Sequence, residues 1–163
     1  LYGVEYDPRL LEVTDKKVPD CTLLNGNAEE FNLSKKFDVI VSFQVIEHLY
    51  QPELMLAQVK KHLKPNGLFI VSTPNLDGLG AKLMKSKWGG YRDDHVTLKG
   101  ARDWEYLIKS EGFESKFSGT TFFSGIPIFR KLPLGLFNWA LLLCFGALSW
   151  KRGEANVGAY TLK

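Results

Sequence analysis

The stretch FDVIVSFQVIEHLYQPELMLAQVKKHLKPNGLFIVSTPN, residues 37–75, decides the fold. Residues 37–43 form a continuous apolar run rich in β-branched side chains, the pattern of a strand covered on both faces. Pro52 opens a helical stretch reaching residue 63, with Leu54, Ala57, Gln58 and Lys61 at helical spacing, and the Lys-Pro-Asn-Gly sequence at 64–67 stops it. Residues 67–73 are a second apolar run. A helix-length connection between two such runs is a crossover, so the two strands are expected to be parallel. A glutamate and a histidine, Glu47 and His48, stand just past the first strand, where a doubly wound sheet places its chemistry.

The alternation continues outward from this unit. Residues 1–5 and 21–25 read as short strands, with a helix start at 8–13 that carries Pro8 in its first turn. Beyond Asn75, residues 76–100 hold five glycines and several lysines and read as a lid-like loop. Residues 101–110 read as helix with Gly112 as its stop, 113–123 as a strand, and the closing ANVGAYTLK as a last strand. The expectation is one α/β domain over 1–163, with 126–152 as an apolar insertion between its last two strands. Ligands of such a sheet bind outside the carboxyl ends of the strands. Those ends carry Glu5 and Tyr6, Asn27 and Ala28, residues 42–48, and residues 73–75.

Composition bounds the function without choosing it. Of 163 residues 45% are apolar and 24% charged, enough for a real core. Twenty-one basic against eighteen acidic residues leave +3, too even a balance for a nucleic-acid partner. Cys21 and Cys144 have no second cysteine or histidine at ligand spacing, so they read as small buried hydrophobes in a reduced, cytoplasmic protein, and no metal-ligating residue is assigned, the metal requirement being left open by the sequence. His62, beside Lys61 at a helix end, reads as solvated. No signal peptide is visible at the start.

Taken together, the segments resemble class I S-adenosylmethionine-dependent methyltransferases of the small-molecule and lipid-quinone type. YGVEYDP is similar to that family's second strand, LLNGNAEEF to its third, FDVIVSFQVIEHLYQP to its fourth, and LKPNGLFIVSTPN to its fifth. DDHVTLKGARDWEYLIKSEGFE is similar to the helix before the sixth strand, and GEANVGAYTLK to the seventh. The resemblance implies a Rossmann-like, mostly parallel sheet with a C-terminal antiparallel strand, and S-adenosylmethionine as cofactor. It also implies an N-terminal strand and helix with a glycine-rich loop, which the sequence does not contain; GLGAKLMKSKWGG has glycines but no strand feeding them and reads as lid. The chain is therefore expected to be a truncated domain with an open edge beside the strand that ends at Glu5.

Each candidate residue has a chemical reason. The Glu5 carboxylate can accept from two ribose hydroxyls, and Tyr6 offers a flat face for an adenine. Asn27 and the Ala28 N–H can read the adenine edge, or Asn27 can form a local Asx turn; the family usually has aspartate there. Ser42, Phe43 and Gln44 face the cofactor's methionine part by resemblance. Methyl transfer from a sulfonium needs alignment and, for a hydroxyl acceptor, a base, and imidazole exchanges protons near neutrality. His48 is the first candidate base and His95 the second; otherwise the Glu47–His48 pair holds the helix start. Trp88 and Tyr91 are the substrate-side candidates. Residues 132–150 carry no charge, long enough for a membrane span, but a last strand returning to the sheet argues against one. The segment reads instead as an interfacial helix or a greasy lid at the inner membrane face, over a lipid- or saccharide-linked acceptor. The competing readings are a non-catalytic Rossmann-like binding module, an inactive methyltransferase fragment, and a nucleotide-binding oxidoreductase, the last disfavoured because no G-x-G-x-x-G precedes Glu5.

Overall fold

The computed structural model describes residues 1–121, 133–145 and 149–163. In chain order its elements are β1 (Tyr2–Glu5), α1 (Pro8–Lys17), β2 (Thr22–Asn25), β3 (Phe37–Phe43), α2 (Pro52–His62), β4 (Leu63–Pro74), α3 (Leu79–Met84), α4 (Ala101–Ser110), β5 (Phe113–Thr120), α5 (Leu134–Phe145) and β6 (Ala155–Leu162). The expected strand at 113–123 ends at Thr120, and residues 122 and 123 lie outside the described residues.

The strands form two sheets. β1 and β2 pair in parallel, and the larger sheet has the order β3-β4-β6-β5. β3 and β4 are parallel, with Val39 opposite Leu68 and Phe43 opposite Ser72, as the crossover requires. β6 runs antiparallel to both β4 and β5, which gives the expected mixed sheet with an antiparallel C-terminal strand. Among the described residues β1 has β2 as its only ladder partner, and β3 has only β4, so each keeps one open edge. Val39, Val41 and Phe43, all on one face of β3, are each more than half exposed. The two sheets meet where these strands start, through the Tyr2 and Phe37 rings at 5.3 Å.

The core lies on the opposite face of β4 and β6. Ile46, Met55, Leu56, Val59, Phe69, Trp104, Ile108, Phe113 and Tyr160 pack there between the sheet and helices α2 and α4. Each such large side chain contributes about 1.5–3 kcal/mol before ordering costs. Burial pushes the Tyr160 hydroxyl up to about 12, helped by the nearby Glu105 charge and opposed by Ser118. α2 buries Pro52, Met55, Leu56, Val59 and His62 at i, i+3, i+4, i+7 and i+10. The face through Leu54 and Lys61 points to solvent instead, because apolar residues occur on both sides of this helix and the sheet accepts only one. β4 is longer than its apolar run: it starts at Leu63 directly after α2, and Asn66 takes φ +64° within the stretch expected only to stop the helix.

Two further expectations are corrected. His62 is buried rather than solvated; its Nε2 accepts from the Leu33 N–H at 3.1 Å, its Nδ1 donates to the Gln58 carbonyl at 2.8 Å, and the ring stacks on Phe31. Full hydrogen bonding removes the cost of placing it inside. Cys144 is exposed on α5 and Cys21 half-buried, so neither is a core residue.

The 76–100 segment is tied down rather than free. Asn75 is its anchor: the amide donates to the Gly153 and Lys151 carbonyls, and Oδ1 accepts from the Asp77 and Ala101 N–H groups. Buried Glu154 accepts from the Gly80 N–H and the Trp88 indole at 3.0 and 2.9 Å. No helix among the described residues is long and apolar enough to cross a membrane.

Candidate functional site

The strand ends present the expected residues in different states. At the end of β1, Glu5 Oε1 accepts from the Asp7 N–H at 2.9 Å, leaving Oε2 for an outside donor, and the Tyr6 ring is exposed. After β2, Asn27 Oδ1 accepts from the Glu29 N–H at 2.9 Å, the local turn that competes with reading an adenine. The Ala28 methyl packs on the core. At the end of β3 the Ser42 side chain turns inward toward Met55, so only its backbone can face a ligand, whereas Phe43 is open. Gln44 takes φ +54° while its N–H donates to the Ser72 carbonyl at 2.8 Å. A glutamine held in left-handed backbone costs about 1–2 kcal/mol, and such strain gathers at functional positions.

The three groups beyond that bend converge. Ile46–His48 is a single 3-10 turn that places Glu47 inside and His48 at the surface. The 91–97 stretch lies against this turn, fixed by the Thr97 N–H on the Glu47 carbonyl (3.0 Å) and the Thr97 hydroxyl on the Leu49 carbonyl (2.7 Å). His95 thereby reaches His48: their rings meet edge to face with centroids 4.7 Å apart. His48 Nδ1 donates to the Asp94 carbonyl at 2.9 Å, with the Asp94 carboxylate 3.5 Å away. His95 Nδ1 donates to the Gly90 carbonyl at 2.7 Å. A carbonyl only accepts, so in the neutral rings both protons sit on Nδ1 and both lone pairs on Nε2.

Glu47 is fully buried, and among the described residues neither carboxyl oxygen has a hydrogen-bond partner. Burial raises its carboxyl above the usual range, only partly offset by its own backbone, by Thr73, and by His48 and His95. The Thr73 hydroxyl favours the ionised form by proximity yet misses hydrogen-bond geometry. Ligand-type atoms of Glu47, His48 and His95 all lie within 4.8 Å of one another. Sequence spacing could not show this triple, since Glu47 and His48 are separated from His95 by more than forty residues.

On the substrate side, Trp88 and Tyr91 part company. Trp88 is 3% exposed with its indole donating to Glu154 at 2.9 Å. Tyr91 sits edge-on to Trp88 and, with Lys85, Arg92, Asp93, His95 and Leu98, lines an open recess of about 580 Å³.

Comparison with known proteins gives this arrangement a family. The family described as "Methyltransferase domain" matches residues 1–115. The chain belongs to that methyltransferase-domain family. A probable S-adenosylmethionine-dependent methyltransferase of Mycolicibacterium smegmatis is 36% identical over 74 residues, which are 45% of this chain and 29% of that protein. A ubiquinone biosynthesis O-methyltransferase of Rickettsia conorii is 38% identical over 52 residues, 32% of this chain and 18% of that one. The chain thus spans less than a third of the curated relatives it matches. A Thermotoga maritima crystal structure described as an S-adenosylmethionine-dependent methyltransferase and possible histamine N-methyltransferase superposes with TM-score 0.73 at 21% identity. It covers 99% of this methyltransferase domain and 72% of its own chain, and shows a shared fold. S-adenosylmethionine is the cofactor of this family.

The residues of the domain fit the nucleoside part of that cofactor. Glu5 keeps a carboxylate oxygen and Tyr6 an exposed ring on adjacent residues at one strand end.

Proposed function

We propose that this domain catalyses methyl transfer to a hydroxyl oxygen of a small, lipid- or saccharide-linked acceptor. Glu5, Tyr6, Asn27 and Ala28 would hold the nucleoside of S-adenosylmethionine, and Ser42, Phe43 and Gln44 its methionine part. Bound there, the cofactor supplies a methyl group already activated on a sulfonium. The chain's own work is to seat the acceptor and take its proton. The observation that carries this reading is His48: its Nδ1 proton is committed to the Asp94 carbonyl, which leaves the Nε2 lone pair as proton acceptor beside the His95-lined recess.

The open edges of β1 and β3 among the described residues support one more strand between them, carrying the turn that the methionine part needs. Calorimetric titration tests this: the 163-residue chain should bind S-adenosylmethionine weakly or not at all, and a chain extended upstream should bind it. Micromolar binding by the short chain would remove the extra strand from the account. In the extended chain, His48→Asn should lower turnover about 10²-fold or more with cofactor affinity little altered. Equal rates would move the base to His95 or eliminate it.

α5 supports the lipid-linked acceptor and a peripheral membrane contact. It has no charged residue, and Leu136, Phe137, Trp139 and Leu143 are all mostly exposed on it. An uncharged helix with this much apolar surface fits an interfacial element better than a simple strand connection.

A further inference from the structure

We infer that Glu47, His48 and His95 form a binding site for one divalent first-row transition-metal ion of the zinc class. Four observations support the site. The donor set is two imidazoles and one carboxylate, which suits borderline divalent metals and leaves positions for oxygen ligands from outside the chain. Both imidazoles are oriented as ligands: each gives its Nδ1 proton to a backbone carbonyl, Asp94 and Gly90, which fixes the ring and leaves Nε2 free to coordinate. The carboxylate is buried with neither oxygen hydrogen-bonded among the described residues, an arrangement that is costly alone and that a cation compensates. The three donor groups already lie within 4.8 Å of one another. Around an ion with bonds of about 2.0–2.2 Å, ligand atoms stand roughly 3.3 Å apart, so small shifts that keep both Nδ1 bonds close the set.

The groups facing the site are few. Asp94 adds a carboxylate 3.5 Å from His48 Nδ1, on the side away from Nε2, and is itself held by Arg92. Thr73 supplies a hydroxyl without a partner on the Glu47 side. Neither competes for the Nε2 lone pairs.

The inference deepens the methyl-transfer reading and rests on it only for the acceptor being a hydroxyl. With the ion in place, both Nε2 lone pairs are taken, and activation passes from His48 to the metal. A hydroxyl oxygen coordinated there loses its proton more easily, to solvent, and the oxygen keeps the electron pair for bonding. Metal binding is measured without turnover, so the metal site can fail while methyl transfer with His48 as base stands, and methyl transfer can fail while the metal site stands; a bound ion replaces His48 as the means of activation.

The test is titration of Zn²⁺ and Co²⁺ into the purified chain with Cys21 and Cys144 replaced by Ser, so that no thiol can bind. The expected result is one equivalent, cobalt d–d bands without thiolate charge transfer, and a zinc-edge absorption spectrum fitted by two imidazoles. His48→Gln and His95→Gln should each weaken binding about 10²-fold or more while keeping the thermal melt. Absence of stoichiometric binding overturns the site, as does unchanged affinity in His95→Gln. If either variant does not fold, the imidazole count from the absorption edge on the unsubstituted site decides: fewer than two refutes the assignment.

Discussion

His48 and His95 meet edge to face, with ring planes at 84° and centroids 4.7 Å apart. The contact is made by backbone as much as by side chains, because Asp94 and Thr97, on either side of His95, bond to His48 and to the Glu47 carbonyl. Replacing one ring therefore leaves the other in place, and substitutions here can be read as chemistry rather than collapse.

Glu47→Gln should raise stability at neutral pH. A carboxyl whose pKa is raised by burial costs the folded state once the pH exceeds its unfolded value near 4.3, and the cost grows until the folded pKa is passed. The amide carries no such charge. With chelator present, melting temperature at pH 7 should increase by about 2–4 °C, the worth of roughly 1 kcal/mol in a chain of this size, and the difference should vanish near pH 4. A lower melting temperature at pH 7 would mean that the ionised carboxylate is compensated by the protein itself.

Glu105 has the opposite sign. Partial burial opposes its charge, but Lys109, Lys151 and Ser118 more than compensate and hold the carboxyl down at about 2. Its contribution is present above the unfolded pKa near 4.3 and is lost as the pH falls from there toward 2. Glu105→Gln should cost on the order of 2 kcal/mol at pH 7, and under about 0.5 kcal/mol at pH 2, by denaturant titration at both values. A constant cost across that range would assign the effect to packing.

Glu5→Ala, made in a chain that binds S-adenosylmethionine, should weaken that binding by about 1.5–3 kcal/mol, the usual worth of hydrogen bonds to a charged group. Asn27→Asp should strengthen it slightly. Calorimetry checks both; unchanged affinity for the alanine variant removes Glu5 from the site.

Replacing Leu136, Trp139 and Leu143 together by Ser should abolish co-sedimentation with anionic vesicles and leave the melt intact. All three are more than 60% exposed, so they contribute little to the core. On a bilayer each contributes about 1.5–3 kcal/mol before ordering costs. A collapsed melt would identify them as buried in solution, and a wild-type chain that binds no vesicles would leave α5 as a cover for an apolar acceptor.

The parts of the fold legible in the sequence are those with one dominant period. β3 was readable to the residue, because a short run centred on the β-branched Val39, Ile40 and Val41 reads as strand, and α4 because Gly112 at φ +91° ends it. The face of α2 was not, since Leu54, Met55 and Leu56 are consecutive and only the sheet decides which side is covered. His48 and His95 were recognisable by residue type. Glu47 as an unpaired acid, His62 as a buried bridge and Trp88 as a partner of Glu154 depend on contacts 29 to 66 residues apart, which no local pattern encodes.

The side chain of Asn75 joins segments 26 and 78 residues away, at Ala101 and Gly153. Closing loops of that length costs entropy that must be spent before any of these bonds forms, so they belong to the last stage of folding. Asn75 is thus a latch on unfolding rather than a seed of folding. Its removal should leave the refolding rate almost unchanged and accelerate unfolding, releasing the 76–100 segment and β6 together.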